Sequence, residues 1–202
     1  MPGAVESSPA SFIAVYDLAT DALLQVLDAP CPGLDYSTAD ADGTLYFSSW
    51  VFAAGGAAVL DGTPTCVVKV DGGDALTTAF TVADVTAGKQ GAAFRLLGGG
   101  KAVLSVLHDD HAPVADAGDV QKITNGANWK FWSYDLAAGT ATELTSFTWG
   151  AGGHYSYSID GKTYFLVAAG NYSATEVFDV TDAAAPVKQF DTQGWSTRLF
   201  KL

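Results

Sequence analysis

The sequence is poor in basic residues and in long apolar runs, and each deficit argues against a class of protein. Only 10 of its 202 residues are Lys or Arg, against 22 Asp or Glu, which gives a net charge of -12. Nucleic acid and anionic membrane surfaces are therefore poor partners for this chain. No apolar run approaches the roughly 20 residues that a membrane-spanning helix needs, so no membrane span is predicted.

Cysteine is also scarce, because Cys31 and Cys66 are the only two in the chain. An even count with no CxxC pair favours a disulfide over a metal site, and two buried free thiols are the alternative. A disulfide would place the protein outside the cytoplasm, in an extracellular or periplasmic setting. Residues 1–9 lack the charged and apolar regions of a signal peptide, which keeps a cytoplasmic location as the alternative.

The chain does contain a strong β signal, which recurs in two alternating kinds of hairpin. The segment 154–167 alternates in side-chain character, turns at Asp160-Gly161 and alternates again, as a β-hairpin does. Related hairpins lie at 33–47 and 91–104. A second type, with an aromatic-Asp step before its turn, lies at 12–27, 132–144 and 177–190, with a degenerate copy at 66–73. No convincing helical period is found.

Repeating units of four strands, here labelled A to D, predict an all-β fold of the β-propeller type. After a polar leader at 1–11, the predicted blades are 12–29 (partial), 33–82, 91–147, 153–191 and 195–202 (partial, an A-like strand). A β-sandwich is the alternative fold. The partial pieces could complete a fourth blade, or a second chain could supply the missing blades. One of these closures is expected because an open arc would expose apolar faces and strand edges. We favour the second chain, or self-association, because the sequence stops inside a strand pattern.

In a propeller, the A strands line a central channel, and the loops before A and after B share one face. This arrangement brings aromatic, histidine and arginine side chains to one binding surface. Counting from the glycine that opens each A strand places Ser37, Arg95, Tyr157 and Arg198 at equivalent positions. The aromatics could instead plug the channel, and the arginines could pair with carboxylates such as Asp35. The predicted ligand-binding residues are Trp50, Arg95, Trp149, His154, Tyr157, Trp195 and Arg198.

A histidine and aspartate cluster, His108-Asp109-Asp110-His111, opens a long loop that follows a B strand. Imidazole and carboxylate ligands suit Zn, Fe or another divalent ion, so His108, Asp109 and His111 are candidate metal ligands. Neighbouring residues at a strand end point in opposite directions, so a solvated acidic loop is the alternative. No cofactor is certain, and a divalent metal or an iron chelate is the candidate.

Three segments together resemble a known family: 31–37 (CPGLDYS), 45–50 (LYFSSW) and 64–70 (PTCVVKV). They are similar to the MxcI-like proteins, β-propellers found near siderophore gene clusters in bacteria, and the resemblance runs from about Phe12 over the later blades. It implies an exported or lipid-anchored protein of about twice this length that handles a metal or siderophore. It also implies that Cys31 and Cys66 match a disulfide-like pair.

The sequence therefore predicts a non-enzymatic module that binds a small ligand or a siderophore-type metal chelate, with Arg95 and Arg198 supplying positive charge. No GxSxG, P-loop or HExxH motif is found, so an enzyme is the less favoured class. Two alternatives stay open. One is a structural or protein-interaction half-propeller, and the other is a metal-dependent lyase or hydrolase that uses the His108 loop and His154.

Overall fold

The computed structural model describes residues 11–60, 63–70, 75–111 and 120–201, so the predicted leader lies outside the described residues except for Ser11. The described chain is all-β and antiparallel, as predicted. Its elements in order are β1 (Ser11–Asp17), β2 (Ala22–Ala29), β3 (Leu34–Ala39), β4 (Leu45–Ser49), α1 (Val51–Leu60), β5 (Cys66–Val70), β6 (Leu76–Thr81), α2 (Val82–Val85), β7 (Gly91–Gly98), β8 (Lys101–Leu107), α3 (Val120–Asn125), β9 (Trp129–Asp135), β10 (Thr140–Glu143), β11 (Gly150–Ile159), β12 (Lys162–Ala169), a 3-10 turn (Gly170–Tyr172), β13 (Ala174–Asp179) and β14 (Val187–Gln193).

Three four-stranded meanders follow one another along the chain, after a separate β1–β2 hairpin. Strands β3 to β6 pair in chain order, and β7 to β10 and β11 to β14 do the same. The second and third meanders join into an eight-stranded sheet where Gly150 of β11 pairs with Trp129 of β9, the one register pair recorded between these strands. The last meander extends beyond the predicted unit 153–191 at both ends.

Tight turns close the hairpins because the sequence supplies residues that tolerate positive φ. Asp160 and Gly161 have φ of 52° and 76° between β11 and β12. This Asp-Gly step has the backbone twist that matches two antiparallel strands. Gly98, Gly99 and Gly100 all have positive φ between β7 and β8, so this glycine run is a turn.

The core lies between the meanders, and the middle meander is packed on both of its faces. Leu104 of β8 joins a buried cluster with Val67 of the first meander, whereas Val103 joins a cluster with Phe165 of the third. Successive residues of a strand point to opposite faces. The two-sided burial therefore explains why β8 reads as a nearly continuous apolar run rather than an alternating one.

Helix α1 is a structural element that the sequence reading missed. Its sequence, VFAAGGAAVL, is apolar all round and shows no amphipathic period. The helix fills the connection between β4 and β5 and packs against α3 and β7. Close packing depends on small residues, since a Cβ on Gly55 would lie 3.1 Å from Ile123 Cγ2. In the described ranges no helix is both long and apolar enough to cross a membrane.

The predicted disulfide between Cys31 and Cys66 is present, and it joins the segment before β3 to the start of β5 with a Cα–Cα distance of 5.7 Å. Both cysteines are buried and pack with Val68. The metal-site and free-thiol alternatives for this pair are therefore wrong.

The predicted A-like strand at the end of the chain is not formed over residues 195–201. Side-chain contacts hold this segment beside the β11–β12 hairpin instead. The Tyr157 hydroxyl donates a hydrogen bond to the Thr197 carbonyl, and Lys201 pairs with Asp160 at 2.7 Å. A strand requires a ladder of backbone partners, and the described residues provide none here.

Candidate ligand site at the inner strands

The first strands of the three meanders, β3, β7 and β11, share an irregularity that positions their side chains. Each contains a register shift, and the first paired residue after the shift is Tyr36 in β3, Arg95 in β7 and His154 in β11. In β7 the shift includes Ala93, whose φ is 57°. A β-bulge bends its strand and redirects the side chains that follow. A register shift therefore redirects one side chain in each of the three meanders.

These three side chains converge where β3, β7 and β11 meet. The Tyr36 and His154 rings are nearly parallel, with centroids 6.2 Å apart. Arg95 Nη1 donates a hydrogen bond to the Ser37 carbonyl at 2.9 Å. We call Tyr36, Arg95 and His154 the inner-strand site.

His154 is buried, with 3% of its surface exposed, and it is neutral at ordinary pH. Its ring packs against Phe165 at 4.6 Å and Phe131 at 5.3 Å between centroids. Burial, and secondly the nearby Arg95 charge, lower the His154 pKa to about 3. Nδ1 lies 3.5 Å from Ser105 Oγ, whereas Nε2 is buried and has no hydrogen-bond partner among the described residues.

Arg95 is the cationic member of the site. Burial lowers the pKa of its guanidinium, and its Nε is buried with no hydrogen-bond partner in the described part of the chain. The described carboxylates form no ion pair with it, so the expected pairing with an acid such as Asp35 is not made. Asp35 instead acts on Tyr36, whose pKa rises to about 12, first through burial and secondly through this negative charge.

An aromatic rim adjoins the site. The Trp195 ring lies 5.6 Å from Tyr155 and 5.3 Å from Tyr172 between centroids. Tyr155 directly follows His154 in β11, so the rim lies next to this strand. Tyr172 has a φ of 55° and donates a hydrogen bond to Asn125 Oδ1 at 2.9 Å, so a strained backbone and a polar contact fix its ring.

The remaining predicted ligand residues do not all lie in this site. Trp50 packs on Phe52 at 4.8 Å and lines a separate open cavity of about 400 Å³ beside β1 and β3. Tyr157 contacts the terminal segment through Thr197. Arg198 is exposed. A cavity of about 420 Å³ at the hairpin-turn ends of the strands includes none of the predicted ligand residues.

Trp149 belongs to a second cluster, which we call the Trp149 cluster. Its ring is stacked on His111 at 3.8 Å with an interplanar angle of 4°, and the His108 ring meets it edge-on at 5.2 Å. Lys130 Nζ lies 4.6 Å from the Trp149 centroid and donates a hydrogen bond to the Phe147 carbonyl at 2.7 Å. The loops that contain His108 and Trp149 therefore meet.

The His108 loop itself is held by protein contacts. Lys89 Nζ lies 2.7 Å from Asp110 Oδ1. His108 Nε2 accepts a hydrogen bond from Trp132 Nε1 at 3.4 Å. Burial, followed by the Lys89 charge, lowers the His108 pKa. Asp109 is exposed, and no group of three potential metal ligands occurs among the described residues. Residues 112–119 of the same loop lie outside them.

Of the three residues of the inner-strand site, Arg95 and His154 are among the predicted ligand-binding residues, and Tyr36 is not. Counting from glycines aligned Ser37, Arg95 and Tyr157, and this count does not allow for the bulges. The local signal available was the run of small residues at the start of β11, Gly150-Ala151-Gly152-Gly153, because glycine inside a strand often marks a bulge.

No protein-family model and no curated protein matches this chain. Among solved structures it is similar to the hydrazine synthase of Kuenenia stuttgartiensis, with 13% sequence identity and a TM-score of 0.49. The match covers 90% of this chain and 48% of that chain, so this chain spans about half the length of the matched one. A similarity this low carries no argument about fold or function.

Proposed function

We propose that this protein is a non-enzymatic module that binds a small molecule or a metal chelate at the inner-strand site. The observation that carries the proposal is the convergence of three side chains that each follow a register shift, two of which have a buried nitrogen without a hydrogen-bond partner among the described residues. A buried polar nitrogen left without a partner costs free energy. A site that bears this cost in two adjacent side chains is suited to a ligand that supplies the missing partners.

The acid–base properties of the site support binding over catalysis. An efficient general acid or base has a pKa near the working pH. His154, with a pKa of about 3, is a weak base, and Tyr36, with a pKa of about 12, is a weak acid. Both groups remain neutral across the physiological range, so they suit hydrogen bonding and stacking rather than proton transfer.

We propose further that the three meanders are blades of a β-propeller whose β3, β7 and β11 strands line the central channel. Face-to-face packing of the meanders and the contacts of β7 with both β3 and β11 support this arrangement. The single pair Gly150–Trp129 between the second and third meanders favours separate blades over one continuous layer of a sandwich.

The Cys31–Cys66 disulfide supports an extracellular or periplasmic location. The resemblance to MxcI-like proteins supports a siderophore as the chelate.

Tryptophan fluorescence tests the binding proposal directly. We expect a catecholate or hydroxamate siderophore, in its ferric or apo form, to quench the emission of the native chain in a saturable way. Arg95→Gln should weaken this response at least tenfold. The matched control is Lys162→Gln, which removes one positive charge from an exposed ion pair with Asp179. An unchanged titration for Arg95→Gln would contradict the assignment of the site.

A protein-interaction module is the second candidate, because the β1–β2 hairpin exposes an apolar face. Phe12, Tyr16 and Val26 are 69%, 55% and 52% exposed, and their register places Phe12, Tyr16 and Val26 on one side of the hairpin. Exposed apolar patches of this kind mark interaction sites. Detection of a second chain by native mass spectrometry would support the protein-interaction function. Phe12→Ser combined with Tyr16→Ser should then dissociate the complex.

A further inference from the structure

We propose that the edge of β1 that is not paired with β2, here called the free edge of β1, accepts an extended segment of a partner protein. The segment begins with a lysine, which pairs with Asp17, and continues with apolar residues that run antiparallel to β1. This inference rests on the second candidate function, a protein-interaction module, and it is separate from the inner-strand site. It adds the strand edge that binds and the chemistry of the partner.

The β1–β2 hairpin repeats the structure of the β9–β10 hairpin in the second meander. Strands β1 and β9 are both seven residues long and end in Tyr-Asp, and Leu-Ala follows in each case. The Oδ1 atoms of Asp17 and Asp135 each accept hydrogen bonds from two backbone amides of the turn, at 2.7–3.0 Å. The last turn residues, Asp21 and Gly139, both have positive φ, 53° and 65°. Strand β1 is therefore the equivalent of β9.

The two strands differ at the edge away from their hairpin partner. Strand β9 pairs there with β8 along its whole length, from Asp135 opposite Lys101 to Trp129 opposite Leu107. Among the described residues, β1 pairs with β2 alone. An open strand edge presents unpaired N–H and C=O groups, and an extended segment of another chain can add to it as a further strand. The missing neighbour of β1 is therefore a strand of the β8 type.

The lysine of the partner segment is inferred from two ion pairs within the chain. Lys101 is the first residue of β8 and pairs with Asp135, which ends β9. Lys162 is the first residue of β12 and pairs with Asp179, which ends β13, at 2.9 Å. Asp17 ends β1 in the same way, but its lowered pKa arises first from backbone amides of its turn and from no cation. A lysine at the start of an incoming strand would complete a third such pair.

The apolar part of the segment is inferred from β8 and from the space beside the free edge. After its lysine, β8 reads AVLSVL and is buried throughout. An open cavity of about 400 Å³ beside β1 is lined by its first two residues and by Leu34 and Trp50, but by no residue of β2. Trp50 is 40% exposed there. An apolar residue at the end of the incoming strand, equivalent to the buried Leu107, would fill this space and cover the indole ring.

A second copy of this chain does not provide such a segment. Its two strands that begin with lysine are already central in the sheet, since β8 pairs with β7 and β9, and β12 pairs with β11 and β13. Two copies would also repel each other, because each has a net charge of -12. The same charge attracts a segment that contains lysine. The partner is therefore a different protein.

The test is fluorescence anisotropy with a labelled peptide that has the sequence of residues 101–107 and a Gly-Ser tail. We expect saturable binding to the native chain. Asp17→Asn retains an oxygen for the turn amides but removes the charge, so it should weaken binding by about threefold to fivefold, as loss of an exposed ion pair does. Lys101→Gln in the peptide should weaken binding to the native chain equally and should not weaken it further in Asp17→Asn.

Asp28→Asn is the matched control, because it removes one exposed charge from β2 and should leave the affinity unchanged. Amide hydrogen exchange then locates the contact, since pairing at the free edge should slow the exchange of β1 amides when the peptide binds. If Asp17→Asn does not fold, the two peptides compared on the native chain decide the role of the lysine.

Binding that is equal for both peptides, or that leaves the β1 amides unprotected, would overturn the inferred strand pairing. The protein-interaction function would survive that result, because the exposed apolar face of the hairpin would still be a binding surface. Absence of peptide binding would overturn the inference alone, and native mass spectrometry would test the protein-interaction function separately. A dimer of the native chain that protects the β1 amides would overturn the inferred partner.

Discussion

The inner-strand site and the Trp149 cluster are built from the same kinds of side chain, yet they differ in whether their polar atoms have hydrogen-bond partners. In the Trp149 cluster, Lys130 donates to the Phe147 carbonyl, Lys89 pairs with Asp110, and His108 accepts from Trp132. In the inner-strand site, Arg95 Nε and His154 Nε2 are buried and have no partner in the described part of the chain.

The difference separates a structural arrangement from a binding one. Polar groups that satisfy one another stabilise the loop that contains them, and they leave little for a ligand to add. Buried groups without partners destabilise the free protein, and a ligand that completes their hydrogen bonds regains that free energy. The comparison is consistent with a structural role for the Trp149 cluster, and it supports the proposal that the inner-strand site binds a ligand.

The largest expected effect is on the pH dependence of folding stability, which should differ between the two regions. In the folded protein the His154 pKa is about 3, against an ordinary value of 6.5. The unfolded chain therefore binds more protons between these values, and folded-state stability is lost as the pH falls from 6.5 to 3. The contribution is about 5 kcal/mol. His154→Phe should flatten this part of the stability curve, as measured by urea unfolding at several pH values.

His108→Phe is the matched control for that experiment. Burial lowers the His108 pKa as well, but nearby acids, Glu143 and Asp110, oppose the shift. The pH dependence of His108→Phe should therefore stay closer to that of the native chain than the dependence of His154→Phe. Identical curves for the native chain and His154→Phe would contradict the burial of a neutral imidazole at the inner-strand site.

A second prediction concerns the bulge that directs His154. A Cβ at Gly152 would lie 2.6 Å from two atoms of the buried Trp129 ring and 2.8 Å from Val51 Cγ1. Gly152→Ala should therefore destabilise the protein by about 1–3 kcal/mol through overpacking. At Gly153, the next residue, a Cβ meets no atom within 4 Å. Gly153→Ala should leave the thermal midpoint almost unchanged, and equal losses for both variants would contradict the described bulge.

The meanders and the disulfide could be predicted from the sequence because their signals are local. Alternation of side chains and Asp-Gly turns identify hairpins, and two cysteines without a CxxC pair indicate a disulfide. Helix α1 could not be predicted in this way, since its small apolar residues lack a polar face. The terminal strand was predicted from alternation alone, but a strand also needs a backbone partner.

The composition of the site could be predicted only in part, because bulges change which residues face one another. Arg95, a predicted ligand-binding residue, is the first paired residue after the register shift in β7. Counting without bulges aligned it with Ser37 and Tyr157, whereas the register shifts give it the same position as Tyr36 and His154, the first paired residue after each shift. One extra residue in a strand reverses the side-chain alternation. Fixed spacing therefore fails at the positions where recognition is proposed.

The smallest predicted effect is on the free energy of unfolding at neutral pH. It compares the two regions most directly, because we expect changes of opposite sign for substitutions in each. His154→Phe removes a buried nitrogen that lacks a described partner, retains ring packing with Phe165, and loses only the long 3.5 Å contact between Nδ1 and Ser105 Oγ, so stability should be unchanged or higher by about 1 kcal/mol. His108→Phe deprives the Trp132 indole N–H of its acceptor and should cost about 1 kcal/mol. Urea unfolding at about pH 7.5, above the ordinary histidine pKa, measures the stability of both variants. If His154→Phe is the more damaging, the Nε2 atom has a structural partner, and the assignment of this site to ligand binding fails with it.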